Sequence, residues 1–248
     1  MFFLAPHHRA RGAEDEADAA RHYELGKSLG LKGQLAEAEA EFRAAVAGGV
    51  ATLGPDDSNV LASRTGLALM LHGEGKHAAA EKEFRTVVAL SARIFGPEDP
   101  TTLANRNRLG DALDGQRKYA ESAAEYAAVV AIQTRLLGPE HPETLSTRNN
   151  LGAALDCRGR HAAAEAEHRA VLISRMRVLG PEHRATLMTA YDLALDLAHQ
   201  KKFAEALVFA QQAYEGGKQS LEPDDPLLKG YEKLWTTLKS DKEPKKKK

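Results

Sequence analysis

Leucines recur along this chain in one fixed figure. Leu61, Leu67 and Leu71 are followed by Leu103, Leu109 and Leu113, by Leu145, Leu151 and Leu155, and by Leu187, Leu193 and Leu197, each set 42 residues after the one before. Spacings of six and four place the leucines of a set on one face of a helix, with polar residues on the other. Asp57, Asp99, His141, His183 and Asp225 occupy equivalent places ahead of these runs, and Asp99-Pro100 and Asp225-Pro226 join an N-cap to a first-turn proline that needs no amide hydrogen. The pattern therefore predicts a helix after each. A break is expected near Gly33, Gly75, Gly115 and Gly159. A second helix rich in Ala, Glu and Arg then runs about eighteen residues to a glycine stop. Those stops are Gly54-Pro55, Gly96-Pro97, Gly138-Pro139 and Gly180-Pro181, again 42 residues apart.

A repeat of this length means stacked supersecondary units, each an antiparallel helix pair. The expected organisation is an N-terminal arm over 1–11 and five pairs over 12–53, 54–95, 96–137, 138–179 and 180–222. A capping helix over 223–240 and a basic tail over 241–248 complete it. In the capping helix Leu227, Leu228, Tyr231, Leu234, Trp235 and Leu238 form one apolar stripe, which should cover the last pair's open face and bury Trp235.

Propeller blades need β-branched and aromatic strands, whereas aromatics make up only 6% of this chain, which excludes them. HEAT and armadillo pairs have a similar length, but the small residues select another pattern. Gly26, Ala68, Gly110, Gly152 and Ala194 fall where the first helix of a pair touches the second, and Ala38, Ala80, Ser122, Ala164 and Ala206 answer them twelve residues later. Leu35, His77, Tyr119, His161 and Phe203 form one bulky row; Phe42, Phe84, Tyr126 and His168 form another. This signature resembles the tetratricopeptide repeat (TPR). Within that superfamily LGPEHPETLSTRNNLGAAL is similar to the kinesin light chain type, over about residues 12 to 240. The resemblance implies an all-α fold, a right-handed TPR α-solenoid of five helix pairs plus a C-terminal capping helix.

Composition narrows the function classes. A net charge of −1 lacks the basic excess of a nucleic-acid binder, and one cysteine, Cys157, leaves no internal disulfide framework and suits a reducing cytoplasm. The chain carries no apolar run long enough to span a bilayer. The start, MFFLAPHHRAR, places its charge after a short apolar stretch, the reverse of a secretory signal.

Chemistry-bearing motifs dissolve into the repeat. Gly26-Lys27-Ser28 looks like the end of a phosphate loop, but Arg21 stands where that loop needs glycine, and the segment is helical. His161, Glu165 and His168 could share a helix face and hold a metal, yet both histidines stand in the bulky rows and read more simply as polar-tipped fillers. No catalytic constellation, metal site or cofactor is expected.

A binding surface is expected instead, and the resemblance says where. In TPR stacks the first helix of each pair lines the concave side, here with Tyr23 and Lys27; Thr65; Asn107, Asp111 and Asp114; Asn149 and Asp156; and Tyr191, among small residues. Kinesin light chains use matching asparagines on cargo, which implies Asn107 and Asn149 as contacts to an extended peptide; Thr65 and Tyr191 depart from that pattern. The other reading is that these asparagines hydrogen-bond across neighbouring helices. Arg64, Arg106 and Arg148 make a ladder of cations that either pairs with carboxylates inside the stack or meets an acidic partner. Lys245, Lys246, Lys247 and Lys248 could add a weak, salt-sensitive contact to anionic lipid or an acidic tail. The expected role is a non-catalytic cytoplasmic scaffold for a protein partner. The resemblance extends to bacterial kinesin light chain-like proteins associated with bacterial tubulin, which implies a filament-binding or filament-to-membrane factor; the alternative is a general peptide-binding adaptor.

Overall fold

The computed structural model describes the backbone of residues 6–242 and the side chains of residues 14–240. The expected N-terminal arm lies partly outside that range, but α1 (Pro6–Leu31) already begins at Pro6. The tail lysines 245–248 lie outside it altogether. Among the described residues every regular element is a helix.

The chain divides into two compact units, residues 1–118 and 119–248. Unit 1 holds α1, α2 (Leu35–Thr52), α3 (Ser58–Gly73), α4 (His77–Ile94) and α5 (Pro100–Gly115). Unit 2 holds α6 (Tyr119–Leu136), α7 (Pro142–Cys157), α8 (His161–Val178), α9 (Arg184–His199), α10 (Phe203–Ser220) and α11 (Pro226–Lys242). Within each unit every helix packs on the next, as helix pairs joined by short turns must.

The punctuation read from the sequence sets the helix ends. Asp57 and Asp99 accept the amide hydrogens of Asn59 (2.7 Å) and Thr101 (2.8 Å). His141 and His183 do the same for Glu143 (3.3 Å) and Ala185 (3.1 Å) through Nδ1, so each cap requires an imidazole whose Nδ1 carries no hydrogen. Asp225 caps α11 by accepting from Leu227 (2.8 Å). Gly54, Gly96, Gly138 and Gly180 turn the chain out of the second helices with φ of 91°, 105°, 96° and 90°, where a Cβ would be strained.

The break expected inside each pair falls near Gly33, Gly75, Gly115 and Gly159. Gly33, Gly75 and Gly159 take the left-handed conformation there, but in the third pair Gly115 is the last helical residue and Arg117 takes the left-handed position at φ 60°. Lys201 repeats this in the fifth pair at φ 61°. Both side chains are exposed, so nothing but the backbone holds them there. The left-handed conformation costs an L-residue about 1 kcal/mol or more, partly offset by the greater unfolded-chain freedom of glycine. Arg117→Gly and Lys201→Gly are therefore each expected to raise stability by about 0.5 kcal/mol, read as a higher urea midpoint.

The repeat rows become the cores. Phe42 and Phe84 pack with Ala38, Leu67, Ala68, Leu71, Ala80, Leu109, Ala112 and Leu113 in unit 1. In unit 2, Leu187, Leu193, Leu197, Ala206 and Ala210 pack with Tyr231 and Leu238 of the capping helix. Trp235 is half-buried rather than enclosed, stacked on Tyr214 with ring centroids 5.0 Å apart. A surface row was not anticipated: Glu39 joins Arg43 and Lys76, Glu81 joins Arg85 and Lys118, and Glu165 joins Arg169 and Lys202, each lysine at 2.7 Å. Each glutamate thus ties its own helix to the turn of the next pair. The Lys118 ammonium, with Gln116 and Arg85, draws the Glu81 carboxyl down to about 2.

Candidate functional site

Unit 1 carries an apolar cavity of about 610 Å³ between α1, α3 and α5. Its floor is Phe42, whose ring lies so close to two glycines that a methyl on Gly66 would come within 2.4 Å of it and one on Gly26 within 3.2 Å. Gly26 therefore has the packing role expected of it rather than a phosphate-loop role. The walls include Tyr23, Lys27, Thr65, Leu69, Met70, Asn105 and Arg108. Three apolar residues stay exposed along the rim: Leu31, Leu69 and Phe95. Tyr23 meets Phe42 edge-on at 5.9 Å, and Lys27 bonds Glu24 (3.0 Å) while lying over the Tyr23 ring (5.1 Å). Arg108 donates to Asn105 Oδ1 (2.8 Å) and has no carboxylate partner among the described residues. Of the predicted surface residues, Tyr23, Lys27 and Thr65 share this one site. Asn107, Asp111 and Asp114 lie on α5 in the same unit, half-buried, and the Asp111 charge faces His72.

Unit 2 treats the equivalent positions differently. Asn149 is buried; its Nδ2 donates to Asp192 Oδ2 (2.9 Å), and its Oδ1 accepts from Thr189 (2.8 Å) and Arg175 (3.2 Å). Its amide is thus taken up across neighbouring helices, the second of the two readings given above. Tyr191 packs against Tyr231 of the cap at 5.2 Å. His168 fills the slot that Phe84 and Tyr126 fill elsewhere, so close to α7 that a methyl on Gly152 would stand 2.5 Å from its Nε2. Its Nε2 donates to the Asn149 carbonyl (3.2 Å) and its Nδ1 shares a proton with Asp196 Oδ2 (2.7 Å). Burial pushes the Asp196 carboxyl up to about 6 and raises Asp192 as well. For His168 burial acts downward, but the Asp196 hydrogen bond and the Asp192 and Asp196 charges win and raise it. Arg175 of α8, buried like its neighbours, links α7, through Asn149 Oδ1, to α9, through Thr189 Oγ1 (2.6 Å) and the Ala185 carbonyl (2.9 Å).

The metal-like spacing on α8 comes apart. Glu165 belongs to Arg169, Gln200 and Lys202, and His168 to Asp196, while His161 turns the other way and meets Asp156 Oδ1 at 2.6 Å. His199 reaches the same oxygen at 2.9 Å. That residue, with Arg108, Arg175 and Asp196, was missed by sequence reasoning, and Phe42 was read there only as a packing residue. The ladder Arg64 and Arg148 turns into the stack, bonding Glu83 and Glu167 at 2.8 Å each; His22 and Glu41 form the same pair in the first repeat. Arg106 lies at the equivalent place on α5.

The tetratricopeptide repeat family profile matches residues 15–91, 107–172 and 158–219. Among solved structures the chain is similar to a Podosopora anserina protein described as kinesin light chain with nearly identical TPR-like repeats. That likeness has 25% identity and a TM-score of 0.72, over 84% of this chain and 99% of that one. It is also similar to BtubC (BKLC) from P. vanneervenii, at 15% identity and a TM-score of 0.65 over 92% of this chain and 83% of that one, a likeness of fold alone. A thermophilic TPR protein of Thermus thermophilus, TTC0263, matches at 18% identity and a TM-score of 0.56, over 88% and 99% of the two chains. No curated protein sequence matches the chain.

Proposed function

Since the chain belongs to the tetratricopeptide repeat family, we propose that it is a protein-interaction scaffold whose unit 1 groove receives an extended partner segment bearing a large apolar side chain beside an acidic group. The open apolar cavity over Phe42 carries this reading: it has the size of a small-ligand or side-chain pocket, and its rim exposes Leu31, Leu69 and Phe95. Arg108 gives it a positive flank for an acidic neighbour. Selection of a random peptide library on the full chain is expected to enrich such segments. Leu69→Asp, which places a charge on the apolar rim, should weaken the selected peptides at least tenfold while leaving helix content unchanged. Equal affinity for the variant would overturn the reading.

The finer reading is a tubulin-like filament as partner, supported by the kinesin light chain-type motifs and by the BtubC likeness. The terminal lysines would then add a salt-screened attraction to an acidic tail or anionic lipid. Cosedimentation with tubulin-like polymer at two salt concentrations tests it: wild type should pellet and Leu69→Asp should not. If neither pellets, the general adaptor is the function.

A further inference from the structure

We propose that Asp156, His161 and His199 form a site for a divalent transition metal, zinc or its near neighbours, at the junction of α7, α8 and α9. One carboxylate oxygen and one ring nitrogen of each imidazole lie within 4.8 Å of one another, and both Nδ1 atoms already point at Asp156 Oδ1, at 2.6 and 2.9 Å. The two rings lie side by side with centroids 4.8 Å apart. Two imidazoles and a carboxylate are the donor set of open zinc sites, in which a water completes the tetrahedron. Bonds of about 2.0–2.2 Å require donor separations near 3.3 Å, so each imidazole must open from the carboxylate by about half an ångström while the two ring nitrogens, within 4.8 Å, draw together. His199 is 49% exposed and His161 32%, which gives them room to do so and gives the ion an entry path.

The repeat supplies an internal control. His72, His77 and Gly115 hold the corresponding positions in unit 1, on the same scaffold: Gln116 donates to the His77 carbonyl (3.3 Å) and Glu81 (2.7 Å), as Gln200 donates to the His161 carbonyl (3.2 Å) and Glu165 (2.8 Å). There the pair His72 and His77 meets edge-on at 5.0 Å, with glycine in place of the third donor. The fold thus brings these three positions together in both units, and only in unit 2 do all three carry ligands. Burial raises the Asp156 pKa, but the His199 and His161 hydrogen bonds outweigh it and keep the carboxylate ionised, ready to bind a cation. Metal binding selects for each imidazole the neutral tautomer with its hydrogen on Nε2 and the Nδ1 lone pair on the ion; a ring that starts as the Nδ1–H tautomer moves that proton to Nε2 through water.

The test is calorimetric titration of the full chain with Zn²⁺ at pH 7.5 after chelator treatment. All samples carry His7→Gln and His8→Gln, which removes the adjacent histidines near the start. One ion per chain is expected, with a rise in melting temperature on saturation. His199→Gln and Asp156→Asn, both on partly exposed side chains, should each weaken binding at least tenfold with helix content unchanged, and His72→Gln should not alter it. Affinity unchanged in His199→Gln and Asp156→Asn, or no binding at up to about 100 μM Zn²⁺, would overturn the assignment.

Discussion

Replacing His168 by alanine is expected to lower the stability of unit 2 by about 3–5 kcal/mol, because it leaves a cavity and strands a buried carboxylate at once. The ring is enclosed against Gly152, and Asp196, equally buried, has only the imidazole for Oδ2. The repeat also states how to undo the damage. Phe84 and Ala112 in unit 1 stand where His168 and Asp196 stand in unit 2, and both are fully buried in an apolar core. The double variant His168→Phe, Asp196→Ala should therefore restore an apolar contact already present in this chain. It is expected to be at least as stable as wild type, since a buried ion pair exchanged for well-packed apolar groups is often neutral or stabilising. Urea unfolding followed by Trp235, the single tryptophan and a unit 2 residue, measures both.

The same double variant carries the pH dependence. Asp196 is raised from 3.8 to about 6, so the folded state binds its proton more tightly than the unfolded chain does; that advantage is lost as pH rises from about 4 through 6. His168 is raised from 6.5, and its contribution is complete below that value and lost as pH rises through the folded pKa. Both signs agree. Relative to wild type the double variant should gain about 1 kcal/mol or more between pH 5.5 and 8, given about 1.4 kcal/mol per pKa unit. A difference independent of pH would mean that the pair holds no proton specific to the folded state.

Helix pairs, caps and stops were legible because they depend on local chemistry: an acceptor two residues before an orphan amide, or a glycine where φ turns positive. His141 and His183 could be equated with Asp57 because the repeat aligned them. Arg117 was not legible as a left-handed residue, because Gly115 two positions earlier attracts the same reading. The lining of the unit 1 cavity was legible in part. The family pattern singles out Tyr23, Lys27 and Thr65, which line it, but whether an asparagine at such a position is free depends on the second helix behind it. Arg175 consumes Asn149, and no periodic signal on α7 announces a residue 26 positions away. His199 was missed because its repeat equivalents, Gly73, Gly115 and Cys157, form no row.

Arg175→Ser is expected to cost about 3–5 kcal/mol. The guanidinium contacts Ser146, Asn149, Ala185 and Thr189, and the residues at those repeat positions in unit 1 are Ala62, Thr65, Thr101 and Asn105, all of which line the unit 1 cavity. Where unit 2 has Arg175, unit 1 has Ser91, whose hydroxyl turns back to the Val88 carbonyl (3.2 Å). The loss should be large because burial already raises the Asp192 carboxyl, and Arg175 is one of the groups that offset that cost. Adding Asp192→Asn, which keeps the shape and removes the charge, should recover about half of it. Denaturation read at Trp235 gives both values, and a single-variant loss under about 1 kcal/mol, typical of a surface ion pair, would mean that the guanidinium does not hold α7 and α9 together. The reverse exchange in unit 1 is closed off: Arg108 stands where Asp192 stands, so an arginine at Ser91 would meet a like charge, and the groove is left open to a ligand.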